Sequence, residues 1–296
     1  MSSVYTIQSN NRNKTIAIII VFIALTTVVG YAASYYFNNY LIAVMAFGLS
    51  LVQSGAAYFF GDKIALATAS AEEITVADFP KIHEMIDNLS KIADIPKPKV
   101  YFSPDPSANA FACGRDPEHS SICLNQGILD LLNKNELEGV IAHELSHIKN
   151  RDTLVMTITM VLASVISLIV DNVFRFSIFG FGGNSDRESN KSPWVYALFV
   201  VILIAAPILA IMLQLAVSRS REYLADATAV TFTRYPEGLI SALEKLYGQK
   251  TKTSVNSTAM SSLYIAPPLH NQNQFFQNLF STHPSISERV SKLKGG

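Results

Sequence analysis

A histidine, a glutamate and a second histidine at positions i, i+1 and i+4 are the residues best spaced for chemistry. They stand in the run Val140-Ile141-Ala142-His143-Glu144-Leu145-Ser146-His147-Ile148. The pattern is helical, and on an α-helix residues i and i+4 lie only about 40° apart around the axis. Both imidazoles therefore project from one face toward one point, as a tetrahedral zinc site requires. Glu144 follows the first histidine and is placed to reach a water on the metal. Zinc lowers the pKa of bound water from about 15.7 to about 7, which makes hydroxide available at neutral pH. Glu144 would take that proton and later deliver it to the leaving amine. Three ordinary surface residues would fit poorly here, because Ile141, Ala142, Leu145 and Ile148 surround them with apolar side chains.

A zinc hydrolase needs a third protein ligand and an open fourth position. No histidine follows His147 before His270, so the ligand comes from elsewhere. Glu222 is the best candidate, in Ser218-Arg219-Ser220-Arg221-Glu222-Tyr223-Leu224-Ala225-Asp226. Asp226 lies one turn on and can orient a liganding histidine by a hydrogen bond. The pattern alone equally allows a charged helix start, with Arg219 and Arg221 as interfacial anchors after a membrane span.

These residues need elements to hold them. Of 296 residues, 49% are hydrophobic and only 16% charged, against about 25% charged in ordinary soluble domains. Part of the chain is therefore expected to avoid water. Lys plus Arg and Asp plus Glu are equal at 23 each, so no global basic bias points to nucleic acid. Thr15 to Gly61 is uncharged, about the length of two spans. Thr15–Phe37 and Tyr40–Phe60 read as a transmembrane hairpin broken at Asn38-Asn39, with aromatic residues at the interface. A cleaved signal peptide fits the first segment less well, because a second span follows directly. Thr153–Val170 and Ser192–Ser218 are further candidate spans; Pro207 should kink the last. Asp171 and Arg175 could pair just beyond the third. Arg12 and Lys14 place the N-terminus in the cytoplasm by the positive-inside rule.

Between the second and third spans, Asp78–Ala93 has helical periodicity, with Asp78 as cap and Pro80 in the first turn. Lys99–Ser103 reads as a strand. Asn109–Cys113 and Ile122–Asn125 read as strands joined by the polar turn Gly114–Ser121. Gln126–Leu132 and Glu136–Asn150 read as helices, the second capped by Asn133 or Asn135. Arg221–Phe232, Tyr235–Tyr247 and Ser285–Leu293 read as later helices. Gln249–Phe280 reads as a long loop. The two cysteines, Cys113 and Cys123, fit no zinc signature. They read as reduced core residues, with pairing across the hairpin as the alternative. His83, His119 and His270 read as surface residues.

His143-Glu144-Leu145-Ser146-His147 followed by Ile148-Lys149-Asn150-Arg151-Asp152, with the later Ser218–Asp226 motif, resembles the M48 zinc metallopeptidases. The likeness is to their HtpX-type membrane branch and covers nearly the whole chain. Asn109-Ala110-Phe111-Ala112 and Leu279-Phe280-Ser281-Thr282-His283-Pro284 share it. The resemblance implies Glu222 as third ligand and Glu144 as general base. It implies that Asn109, Ala110 and Phe111 form an edge strand that pairs with an extended peptide substrate. It offers His283 for the oxyanion, Asp152 and Asp226 as residues that orient the metal ligands, and Arg289 as partner of a site carboxylate. The long Gln249–Phe280 segment and the cysteines depart from the family pattern.

The expected fold is an α-helical multi-pass membrane protein of about four transmembrane helices. It carries a mainly α, α+β zincin-like cytoplasmic catalytic domain with a small edge sheet. Residues 1–61 would form the tail and first hairpin, 62–152 the first catalytic part, 153–218 the second hairpin and 219–296 the second catalytic part. The expected function is a zinc endopeptidase with one Zn2+ per chain, cutting misfolded or damaged membrane proteins on the cytoplasmic side of the cell membrane. Its partners would be polypeptide substrates and the bilayer, not nucleic acid, with oligomerisation open. A processing protease for prenylated C-termini and a non-catalytic zinc scaffold are the alternatives. Intact Glu144 argues against the scaffold.

Overall fold

The uncharged N-terminal run folds as a helical hairpin. In this computed structural model, residues 4–36, 38–179, 219–248, 263–265 and 284–295 are described. In chain order the elements are α1 (Val4–Tyr36), α2 (Leu41–Thr68), β1 (Glu72–Glu73), α3 (Pro80–Ala93), β2 (Lys99–Ser103), β3 (Ala110–Asp116), β4 (His119–Asn125), α4 (Gln126–Leu131), α5 (Lys134–Lys149), α6 (Asp152–Phe179), α7 (Arg219–Thr233), α8 (Pro236–Gly248) and α9 (Ile286–Gly295).

The hairpin reverses at Asn38, whose φ of 50° is a left-handed conformation that asparagine tolerates. Gly30 lets the helices touch: a Cβ there would lie 2.2 Å from the Ala46 Cβ. Ile20, Val28, Val44, Met45, Val52 and Phe59 face outward. So much exposed apolar surface on two adjacent helices marks an interaction with an apolar medium. Asn11–Tyr35 and Leu41–Thr68 are long and apolar enough to cross a bilayer. Along the other expected span, Val155, Ile158, Leu162 and Ile166 of α6 are buried in a cluster with Ile18 and Phe22 of α1 and Ala57 and Ala65 of α2. Ser192–Ser218, and the side chains of Asp171 and Arg175, lie outside the described residues.

The sheet order is β1-β2-β4-β3, with β2 and β4 parallel and the other neighbours antiparallel. β3 is thus an edge strand, as expected. It is not exposed, however: Asn109, Ala110 and Phe111 are 3%, 0% and 0% accessible. The expected polar turn Gly114–Ser121 is much tighter, because both strands run on to Asp116 and His119 through a bulge at Gly114, where φ is 136°. Cys113 faces Ser121 and Cys123 faces Phe111, so the cysteines are not cross-strand partners. Both are free and buried in the core. Helix α3 begins at Pro80 rather than Asp78. Asp78 instead accepts hydrogen bonds from the Thr75 backbone and hydroxyl. His83 is not a surface residue: it is buried and its Nε2 meets the Ile74 carbonyl at 3.1 Å. His119 is half-exposed and paired with Asp116, while His270 lies outside the described residues.

Helix α5 carries the HExxH run and is held at both ends. Asn133 and Glu136 form a reciprocal capping box. Glu136 also accepts from Ser241 and Lys245 of α8. Gly139 brings the two helices together, since a Cβ there would lie 2.8 Å from the Leu239 nitrogen. At the other end Arg151 has a φ of 58°. That left-handed residue turns the chain sharply, so Asp152 starts α6 beside the histidine one turn earlier.

Candidate metal centre

Helices α5 and α7 meet over the core formed around Leu145, Ile148, Ala229 and Phe232. Their contact buries His143, His147 and Glu222 to 1%, 2% and 0% accessibility. One potential ligand atom from each of the three lies within 4.8 Å of the others. The separations are 3.2 Å between the two Nε2 atoms, 3.7 Å from His143 Nε2 to Glu222 Oε2 and 3.6 Å from His147 Nε2 to Glu222 Oε1. Tetrahedral ligands at about 2.0–2.1 Å from an ion lie roughly 3.3–3.4 Å apart. The three donors therefore stand at the spacing that one divalent cation requires.

The outer contacts point the same way. His143 Nδ1 lies 3.0 Å from Asp226 Oδ1, and His147 Nδ1 lies 3.1 Å from Asp152 Oδ2. Each carboxylate favours a proton on Nδ1, which leaves each Nε2 a lone pair. Two Nε2 atoms facing at 3.2 Å need a cation or a shared proton between them. Burial lowers the His143 pKa to about 4, with the Arg289 charge adding to it. Burial also disfavours charge on His147, but Asp152 and Glu222 outweigh it and raise that pKa to about 9.

Glu144 lies among these groups with 1% accessibility, and burial raises its pKa to about 8. It accepts the backbone N–H of Ala112 from the edge of β3. Its Oε2 has no hydrogen-bond partner among the described residues. The arrangement thus offers a three-ligand cation site with a carboxylate beside it, next to a strand edge.

Arg289 of α9 completes the centre. It is fully buried and forks onto Asp226, with Nε at 2.9 Å and Nη2 at 2.7 Å from the two carboxylate oxygens. Its Nη1 lies 3.7 Å from Glu222 Oε2. Ile286, Arg289, Val290 and Leu293 fall on one helical face. A lone arginine in such a stripe is the signal that it points inward. Arg221 is not an interfacial anchor: it is buried, 3.7 Å from Asp152. His283 lies outside the described residues. Sequence reading missed Asn11, whose amide donates to Asp152 at 2.7 Å; a polar residue in register with Thr15, Ile18 and Phe22 on one helix face was its available signal.

The family profile described as Peptidase family M48 matches residues 76–296. A protein described as Protease HtpX homolog from Lactobacillus acidophilus is 40% identical over 97% of each chain. Another of that description, from Caldanaerobacter subterraneus, is 38% identical over 99% of this chain and 97% of its own. A crystal structure of S. mikatae Ste24p shares 18% identity at a TM-score of 0.46, covering 97% of this chain and 66% of that one. That likeness is too distant to argue from. The profile and the near full-length relatives carry the assignment: the chain belongs to peptidase family M48 and is a membrane-associated metallopeptidase.

Proposed function

We propose that this chain is a zinc-dependent endopeptidase anchored in the cell membrane, cutting misfolded or damaged membrane proteins at the cytoplasmic face. The observation that carries the zinc reading is the pair of Nε2 atoms facing each other beside Glu222, with each Nδ1 turned toward a carboxylate. His143, His147 and Glu222 would hold the ion; two nitrogens and one carboxylate suit Zn2+ and leave a fourth position open. When bound, zinc would polarise the scissile carbonyl and acidify a water. Glu144 holds the proton from that water and passes it to the leaving nitrogen. Asp226 and Asp152 keep the two imidazoles oriented. By family resemblance, Asn109, Ala110 and Phe111 would offer a backbone edge to an extended substrate once Ile265 leaves the Ala110 carbonyl, and His283 would supply an oxyanion contact.

Residues 1–61 and 153–218 would embed the protein as two hairpins. Residues 62–152 and 219–296 would close over the site on the cytoplasmic side, near substrates leaving the bilayer. The exposed apolar faces of α1 and α2 and the Arg12 and Lys14 charges support that placement. The test uses the full chain in detergent with added Zn2+, as wild type and as Glu144→Gln. Wild type should cleave casein and itself, and Glu144→Gln should lose at least a hundredfold in rate while keeping its zinc. Equal rates in the two proteins would refute the mechanism.

A further inference from the structure

Asn11 belongs to α1, one turn before the uncharged run that begins at Thr15, yet its side chain ends at the metal centre. It is 2% accessible. A buried amide in an apolar helix is costly unless it is hydrogen-bonded, and Asn11 is bonded on both ends. Its Nδ2 donates to Asp152 Oδ1 at 2.7 Å and to the Asn150 carbonyl at 3.1 Å. Its Oδ1 accepts from Arg221 Nη1 at 3.5 Å. The other oxygen of Asp152, Oδ2, meets His147 Nδ1. One amide therefore grips the carboxylate that orients one proposed ligand, the turn that places that carboxylate, and the residue preceding a second ligand, Glu222.

We infer that Asn11 is a positioning residue for the metal centre, supplied by the first membrane helix and acting through Asp152. The carboxylate can rotate about its own bond. The short Asn11 contact fixes that rotation, so Oδ2 stays aimed at His147 Nδ1 and Nε2 stays aimed at the cation. The peptidase centre is thus incomplete without α1. This inference rests on the metal-site reading, so wild-type zinc binding is measured first; a wild type that binds none sinks that reading.

The experiment is a chelator competition for Zn2+ on the full chain in detergent, with Co2+ absorption as a second readout. Asn11→Leu, similar in size, should weaken zinc 10–100-fold, the usual effect of losing an outer partner, and should alter the cobalt spectrum. Asn11→Asp, which sets an acceptor against Asp152, should weaken it at least as much. Ile18→Ala, on the same face of α1 without a site contact, should lower the melting temperature and leave affinity within twofold of wild type. In an Asp152→Ala background Asn11→Leu should have no further effect. Wild-type affinity in Asn11→Leu, equal losses in Ile18→Ala, or full additivity with Asp152→Ala would each overturn the inference. If Asn11→Leu does not fold, Asn11→Ser carries the same comparison with a smaller expected loss.

A different observation carries a second inference. Three outward-facing groups of β3 are already engaged: Gly114 N–H by Thr157 Oγ1 at 3.2 Å, Ala112 N–H by Glu144, and Ala110 C=O by Ile265 N–H at 3.2 Å. Ile265 C=O in turn accepts from Arg289 Nη1 at 3.1 Å, and the Tyr264 ring packs edge-on to Phe111 at 5.8 Å. Leu263, Tyr264 and Ile265 are all buried. The Ile265 N–H on the Ala110 carbonyl is a backbone contact of the kind an added peptide strand makes. We infer that Leu263–Ile265 competes with substrate for the edge of β3. Ile265→Pro, which removes the donor, and Tyr264→Ala should each lower the KM for unfolded casein several-fold with zinc content unchanged. An unchanged or higher KM in both zinc-loaded variants would overturn it.

Discussion

Replacing Arg289 by methionine is the perturbation whose outcome the structure defines most fully. The guanidinium is fully buried and makes two bonds to Asp226, at 2.9 and 2.7 Å. Methionine fills similar space but, among the described residues, leaves the carboxylate with only the His143 contact at 3.0 Å. Removing one member of a buried pair costs about 3–5 kcal/mol. At roughly 2–4 °C per kcal/mol, the metal-free variant should melt about 6–20 °C below wild type at pH 7. The pH dependence supplies a second signature. Burial pushes the Asp226 pKa up, but Arg289 and His143 outweigh it and hold the group at about 2, below its ordinary 3.8. That depression contributes about 2 kcal/mol of stability above pH 4, lost as pH falls toward 2. Without Arg289, burial is opposed by His143 and the pKa rises. The variant then carries a penalty at neutral pH that protonation relieves. The melting-temperature gap between the two metal-free proteins should therefore narrow from pH 7 to pH 3. Differential scanning fluorimetry in detergent measures it. A gap under about 2 °C at pH 7, or one that does not narrow, would refute the reasoning.

Gly139→Ala should lower stability by about 1–3 kcal/mol, because the new methyl would meet the Leu239 backbone, which cannot rotate away; thermal melting reads this, and an unchanged melting temperature would contradict it. Asn133→Ala should cost about 1 kcal/mol through loss of the α5 capping box, checked on the same assay. Cys113 and Cys123 are buried, and burial raises both thiols well above the ordinary range. Alkylating reagents at pH 8 should therefore label neither until the protein is denatured, as mass spectrometry would show.

Much of the centre was legible because it is local. His143, Glu144 and His147 share one turn of one helix, so spacing alone places them together. Glu222 stayed ambiguous in the residue pattern because its partner helix is 79 residues away along the Ser146–Ala225 contact, and no local spacing encodes such a docking. Asn11 was invisible for the same reason at greater range: it meets Asp152 across 141 positions. The edge position of β3 was anticipated, but its burial was not. Closure of that edge depends on Ile265 and Thr157, which come from elements far along the chain. His83 looked like a surface residue because its hydrogen-bond partner is the Ile74 carbonyl, a backbone group that sequence does not mark. The strands outran their expected ends because a bulge at Gly114 extends a ladder that composition alone reads as a turn.

The central claim is that one metal ion is held by His143, His147 and Glu222. Its most direct test is the zinc content of the purified full chain after dialysis, measured by mass spectrometry for wild type, Glu144→Gln and Glu222→Ala. The account predicts about one zinc per chain in wild type and Glu144→Gln, because three-ligand sites of this kind bind one ion, and a large loss in Glu222→Ala. Undiminished zinc in Glu222→Ala, or none in wild type, would contradict it.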